Sequence, residues 1–463
     1  MGDIEINMHK LESSLLVVMA SLTLLFCSFC SKDSEHIVPA GPLMEEYIHF
    51  QYAIYYIPRP SNDPSAVLKK LLADQYSELN LVDKMKEYPD DLFVSAFVQE
   101  NAQKEYAPPD MEQLHYFGRG ISKEQAEALQ KCEVAYIIDF GHPGGKAFEG
   151  LRTANNIVET IARETNGILW DEETRETFSP DEWHEKRVAS WTEDIPDIAN
   201  HITIHAYNSG EYVRAITLGM CKIGLPDVVV EDFSWSSNRS MGHLINLFYQ
   251  AIAEVPTIEK PGEFDLNLHA IKNKKARDPQ IETLKENATA VALLSLKKGN
   301  WEEGDPNNRL IEISFDRCQG KDNHARQEQL LSSLFGWEDK VTSVRHNEEL
   351  LAASQRAKEK LPLLYKAFIE GLQPGEYIRV KAPFERPDGG NEWMWVEIIT
   401  WKGNKIKGLL KNEPYYIPSL HGGQIVEVKQ DEVFDYIRDY PDGSQDGNET
   451  GKIIQKMQEM TDK

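Results

Sequence analysis

Four groups of residues in this chain carry side chains at spacings that chemistry could use. The first is Gly141-His142-Pro143-Gly144-Gly145-Lys146-Ala147, between a strand-like run and a helix-like one. Backbone N–H groups at such a junction hold phosphates. A Walker-type loop needs four residues between its glycines, then Lys followed by Ser or Thr. Here Gly141 and Gly145 have three residues between them, and Ala147 stands where the magnesium-binding hydroxyl belongs. The loop is expected to be a plain strand-to-helix turn. The second group is His201 and His205. On a helix, four apart, they would share a metal. In "HITIHAY", a strand-like run, they would lie about 13 Å apart at ~3.3 Å per residue, too far for one ion. Hydrogen-bonded or solvated histidines are expected. The third is the acidic run Asp171, Glu172, Glu173 and Glu176. Paired carboxylates do acid/base work, but adjacent acids before a helix are expected to form a solvated hairpin tip.

The fourth is Cys27 and Cys30, a C-x-x-C that closes an apolar run. A redox pair of this spacing sits at a strand-to-helix junction, and a thiolate zinc site needs a second half. Neither context is present. The five cysteines are too sparse for a disulfide framework. No G-x-S-x-G and no H-E-x-x-H occurs. No catalytic residue, metal ligand or cofactor is assigned on these grounds. The remaining enzymatic reading is a hydrolase with a site near Asp139, His142 and Lys146.

The apolar run Leu15–Cys30 carries no charge. As a helix it would span about 24 Å at ~1.5 Å per residue, short of the ~30 Å hydrocarbon core. It fits a signal-peptide apolar region better. Cys30 followed by Ser31-Lys32-Asp33-Ser34-Glu35 resembles the start of mature bacterial lipoproteins, in which such a cysteine is lipidated. Phe29 departs from that pattern, which has a small residue there. The leader, residues 1–30, places the protein in the cell envelope if it is genuine. A mis-assigned start would leave it cytoplasmic. The formal net charge of -25 over 463 residues argues against nucleic acid and anionic lipid as general partners. Membrane contact is then expected only through the N-terminal anchor.

The elements that would position these groups alternate in type. Phe50–Pro58, Asp91–Glu100, Val134–Phe140, His201–Tyr207 and Leu225–Phe233 have strand signatures. Ser65–Met85, Lys146–Gly167, Ser179–Trp191 and Gly242–Val255 have helical spacing. Ser122 with Gln125 makes a capping box, and Asn166-Gly167 is a helix stop. An α/β or α+β domain is predicted over residues 31–263. Lys260–Pro279 is polar and basic and is expected to be a linker. A hairpin unit, "ATAVALLSLK" to "LIEISFD", completes residues 264–346. From residue 347 to 463 a helix, with Pro362 expected to kink it, leads a small, mostly β domain.

In "EWMWVEI", Trp393 and Trp395 point to one side of a strand and Met394 to the other, with Trp401 on the tryptophan side. Core packing is expected for the tryptophans. The alternative is an aromatic platform for a partner or ligand. Asn412, Glu413 and Tyr415, in "LLKNEPYYIP", form a turn and are the second candidate for contact.

Several of these runs carry a resemblance. The helix Ala352–Phe368, "VKAPF" at Val380, "EWMWVEI" at Glu392, "GLLKNEP" at Gly408, "GGQIVEV" at Gly422 and "VFDYIRDYPDG" at Val433 resemble, in this order, the bacterial domain of unknown function 2314, a YegJ-like family. "TNGILWDEETRETFSPDEW" and "LGMCKIGLPDVVV" are similar to the N-terminal halves of longer members. The resemblance implies an architecture and no mechanism. Two readings remain. The favoured one is a non-enzymatic, lipid-anchored envelope protein whose β domain binds a protein partner. The other is the hydrolase.

Overall fold

The computed structural model describes residues 36–57, 59–60, 62–285, 287–336 and 348–461. The leader, with Cys27 and Cys30, lies outside the described residues. No described helix is long and apolar enough to cross a membrane.

Three large sheets organise the chain, two of them mixed and the third antiparallel throughout. The first contains β1 (Tyr47–Tyr56), β2 (Phe93–Glu100), β3 (Val134–Pro143), β4 (Gly167–Asp171) and β5 (Glu176–Phe178). Its order is β2-β3-β1-β4-β5, with two-residue strands at Asn80–Leu81 and Gly118–Arg119 on its edges. β1 and β3 run antiparallel from Tyr47 opposite Pro143 to Tyr56 opposite Val134. Side chains alternate between faces along each strand. Ile48, Phe50, Tyr52, Ile54 and Tyr56 therefore share one buried face. Helix α1 (Pro64–Asp74) and helix α2 (Ala147–Thr165) cover it, α2 with Leu151, Ala154, Ile157 and Ile161. Each fully buried aliphatic chain of this size contributes about 1.5–3 kcal/mol. Asn166 ends α2 in the left-handed region, as its sequence signals. On the other face, Ala53, Tyr55, Ala135 and Ile137 pack on three short helices within Ala102–Leu129. The helix expected over Ser65–Met85 stops at Asp74; beyond it Leu79 turns into the core and Asn80–Leu81 pairs with β2.

The second sheet holds β6 (Thr203–Ser209), β7 (Tyr212–Leu218), β8 (Asp227–Phe233), β9 (Glu263–Asn267), β10 (Val291–Lys298) and β11 (Leu310–Ser314), in the order β9-β10-β11-β8-β7-β6. Helices α3 (Asn238–Glu254) and α4 (Asn323–Phe335) pack on it. The hairpin between β10 and β11 forms as expected. The separate unit over 264–346 does not. Leu266, Leu268, Ile271, Leu294 and Ile313 join the same core as β1 and α2. The expected linker Lys260–Pro279 supplies β9 and most of a helix, Lys274–Thr283. Its apolar residues, two apart at Leu266 and Leu268, were masked by the surrounding charge.

Helix α5 (Glu348–Glu370) runs unbroken through Pro362. It covers the third sheet, of β12 (Tyr377–Glu385), β13 (Asn391–Lys402), β14 (Lys405–Leu410), β15 (Ile425–Lys429), β16 (Asp435–Asp439) and β17 (Gln445–Gly447). The order is β15-β14-β13-β12-β16-β17, and helix α6 (Glu449–Thr461) closes the chain. This domain has its own core, from Ala357 to Tyr436. It rests on the N-terminal unit through a polar seam. Gly423, at φ +80°, brings its backbone so close to α4 that an added Cβ would lie 2.8 Å from the Ala325 nitrogen.

Candidate functional site

The three residues of the hydrolase reading do not meet. Asp139 and His142 are three apart on β3 and point to opposite faces. Asp139 accepts from Gln51 Nε2 at 2.7 Å and Ser95 Oγ at 3.3 Å. His142 is buried on the α2 side, so close to Gly150 that a Cβ there would lie 2.2 Å from the ring. Burial pushes its pKa down to about 4, and the imidazole is neutral. Lys146 reaches away to Asp91, 2.7 Å distant.

The acidic run departs furthest from expectation. Asp171, at 0 % exposed, and Glu176, at 4 %, are buried rather than solvated; Glu173 is half-buried and Glu172 is exposed. The segment expected as one helix from Ser179 divides into a turn at Pro180–Trp183 and a wide π-turn at His184–Val188. That turn aims Arg187 inward, where its Nη2 lies 3.1 Å from Asp171 and 2.9 Å from Glu176. Lys222 meets Asp171 at 2.5 Å, and Arg119 meets Glu176 at 2.8 Å. Burial alone would raise the Asp171 pKa, but Lys222 and Arg187 outweigh it and hold the carboxyl below its ordinary range. Glu176 follows the same pattern, with Arg187 and Arg119 outweighing burial. Burial raises Glu173, whose Oε2 accepts the Cys221 thiol at 3.1 Å. These charges are closed on one another. Asp171 and Glu176 present no carboxylate to a substrate, while Glu173 lines an open cleft of about 300 Å³ with Asp139.

His201 is buried and His205 half-buried. His201 precedes β6 rather than lying in it. Its Nε2 lies 3.3 Å from Ser190 Oγ, and its ring meets Trp191 edge-on. His205 stacks on Phe117 at 4.4 Å. Burial pushes His201 well below its ordinary pKa and His205 to about 4. Among the described residues, no group of three His, Cys, Asp or Glu is placed to hold a metal ion.

In the C-terminal domain the tryptophan assignment inverts. Met394, with Val396 and Ile398, is in the core. Trp393 and Trp395 lie half-buried on the outer face. A β-bulge between Ile398 and Thr400 shifts the register of β13. It turns Trp401 to the opposite side from Trp395, against Tyr365 and Phe368 of α5. Alternation alone could not show that extra residue. On the outer face the Lys381 ammonium lies 5.5 Å from the Trp395 ring, and Trp393 packs on Phe434. Lys381 has no ion-pair partner within 4 Å among the described residues, and burial lowers its pKa.

The loop after β14 is pinned to this strand. Asn412 Oδ1 accepts from Trp395 N at 2.7 Å. Glu413 accepts from Gly422 N at 2.8 Å. Glu392 accepts from the Tyr415 and Tyr416 nitrogens at 2.7 and 3.0 Å, which leaves the Tyr415 ring 68 % exposed. Asn412 and Glu413 also line a seam cleft of about 560 Å³, facing Lys321 and Gln329 of the N-terminal unit. Tyr415 is not part of that lining.

Residues 347–462 match the model of a family described as an uncharacterised protein conserved in bacteria, domain of unknown function 2314. The upstream runs at Thr165–Trp183 and Leu218–Val230 lie outside the match. No curated protein and no solved structure matches the chain.

Proposed function

We propose that this is a non-enzymatic binding protein, lipid-anchored in the bacterial envelope at Cys30, whose C-terminal domain docks a protein partner on the outer face of its sheet. The observation that carries the docking face is the outward pair Trp393 and Trp395 beside Lys381, with Met394 on the core side. Aromatic rings with a desolvated cation are what interface centres use. Lys381 has no carboxylate within 4 Å among the described residues, although Asp435 stands opposite it on the neighbouring strand, and the fitting partner sets an Asp or Glu against Lys381 and apolar surface against Trp395. The same face continues into the seam, where Glu397 and Leu409 already meet the N-terminal unit. The anchor rests on the leader's apolar run and the Cys30 context.

Tagged full-length protein, isolated from envelope fractions, tests the face. A protein partner recovered with wild type should be lost with both Trp395→Ala and Lys381→Met, while both variants stay folded and lose less stability than Met394→Ala. An Asp-to-Asn or Glu-to-Gln scan of the purified partner should then reproduce the Lys381→Met loss. A partner set unchanged in both variants removes the face. The anchor is tested separately: Cys30→Ser should leave the membrane fraction, and wild type that takes up no labelled fatty acid removes the lipoprotein reading.

A further inference from the structure

A second cleft of about 280 Å³ opens at the seam. Tyr212 and Trp235 wall it from the N-terminal unit, and Phe368, Tyr377 and Leu409 from the C-terminal domain. Trp235 is fixed by its Nε1–H, which donates to Asn208 Oδ1 at 2.7 Å. Three carboxylates border the cleft, and their pairing differs. Glu211 meets Lys407 at 3.5 Å, and Glu376 is paired with Arg438. Glu397, only 4 % exposed, receives hydrogen bonds from Ser236 alone, from its N–H at 3.2 Å and its hydroxyl at 2.5 Å. Arg379 stands opposite Glu397 on the neighbouring strand, with its guanidinium forked onto Asp439 at 2.8 and 3.1 Å and 5.5 Å from the Tyr377 ring. Among the described residues, Glu397 has no cation within ion-pair distance.

A buried carboxylate is costly unless a cation offsets it. Two neutral donors from Ser236 meet part of that cost. The rest of the surroundings selects the missing partner. Aromatic faces attract cations through their quadrupoles. A divalent metal ion wants six or more oxygens, and two of the three carboxylates here are already spent. An anion would face three carboxylates. We propose that this cleft binds a small organic ammonium ion, with Glu397 as its counter-ion and the rings of Tyr212 and Trp235 as its aromatic walls. The site lies further along the sheet face that carries Trp395, where the N-terminal unit covers it, and its test does not depend on the docking reading. Because the walls come from both modules, the bound ion also bridges the seam.

Isothermal titration of the full-length protein with choline and tetramethylammonium tests this, with 3,3-dimethylbutan-1-ol as the uncharged isostere of choline. Saturable binding of choline is expected, with the neutral isostere at least about tenfold weaker. Glu397→Gln keeps the side-chain shape and should weaken choline about tenfold or more without changing the isostere. Tyr212→Leu, which leaves the Ser236 contact intact, should weaken choline as well and serves if Glu397→Gln fails to fold. Equal binding of choline and its isostere overturns the proposal. So does the absence of saturation by either ammonium ion at ~10 mM, which is binding weaker than millimolar.

Discussion

The N-terminal unit and the C-terminal domain treat their polar groups in opposite ways. In the buried cluster around Asp171, the charges close on one another: Asp171 on Lys222 and Arg187, Glu176 on Arg187 and Arg119. On the C-terminal sheet, Lys381 lies over Trp395 and Glu397 sits at the seam, neither with an opposite charge within 4 Å among the described residues, though Asp435 stands opposite Lys381 and Arg379 opposite Glu397 on neighbouring strands. A closed cluster fixes how elements pack and has no valence left for a ligand. An open one leaves a charge that only an incoming group can satisfy. The first is architecture, and the second is where recognition is built.

The sharpest way to break this contrast is to open the closed cluster. Lys222→Met removes one cation from a carboxylate that is 0 % exposed. Removing one partner of a buried pair costs about 3–5 kcal/mol, because the other charge stays buried. Chemical denaturation of the full-length protein should show the lowered midpoint. Asp171→Asn in the Lys222→Met background should recover part of it, since the stranded charge is then gone. A wild-type midpoint for Lys222→Met would show that the cluster is not closed.

The next test separates the two faces of β13. Met394→Ala removes a core side chain and should destabilise by about 2–5 kcal/mol. Trp395→Ala should cost clearly less, since the larger ring is only half-buried. The reverse order of midpoints would return the tryptophans to the core and remove the docking face.

Acid should act on the N-terminal unit. His142 and His205 have folded-state pKa values of about 4, against ~6.5 for a free histidine. The unfolded chain takes up a proton on each as pH falls from about 6.5 to 4, and the folded chain does not. Stability is therefore fully present above pH ~6.5 and declines toward pH 4, by roughly 3 kcal/mol at most per histidine. Asp171 and Glu176 are held below their ordinary range, so their contribution is present above about pH 4 and is lost only below it. His205→Phe keeps the stack on Phe117 and should make the pH 6.5-to-4 decline shallower. An unchanged slope would mean that His205 is not buried neutral.

How much of this was legible follows from which signals are local. The mixed α+β class, the capping box at Ser122, the stop at Asn166 and the stripe of α2 are written in neighbouring residues, and the structure has them. The family match at residues 347–462 was equally legible from motif order. The acidic run was misread because its neutralising cations come from elsewhere, Arg187 on a π-turn and Lys222 beyond β7. One signal was available: Lys222 stands alone in the apolar run "LGMCKIGLP", and Arg214 alone in "YVRAITL". A lone cation in such a run is rarely buried unless paired, and Arg214 is indeed held by Asp305 and Glu231. The tryptophans were misplaced for another reason. Alternation shows which residues share a face, and not which face is the core. The seam clefts had no local signal, because their walls meet only when two separate cores dock.

The smallest expected effect concerns Tyr415. Its ring is 68 % exposed and meets Tyr416 edge-on at 4.7 Å. Its backbone nitrogen, not its ring, holds the loop to Glu392. Tyr415→Ala keeps that N–H, so stability should change by no more than about 0.5 kcal/mol. Tyr416→Ala should behave differently, because the Arg386 guanidinium lies 3.9 Å over that ring, and its loss removes a cation–π contact of about 0.5–1 kcal/mol. The pair thus repeats the larger contrast in miniature, one ring closed on a partner and its neighbour open. If Tyr415→Ala leaves the midpoint unchanged but weakens partner recovery, the docking face extends from Trp395 past Asn412 to this loop. If it changes neither, recognition stops at the sheet. A loss of stability larger than that of Tyr416→Ala would show that the Tyr415 ring is packed, and the loop would join the closed part of the molecule.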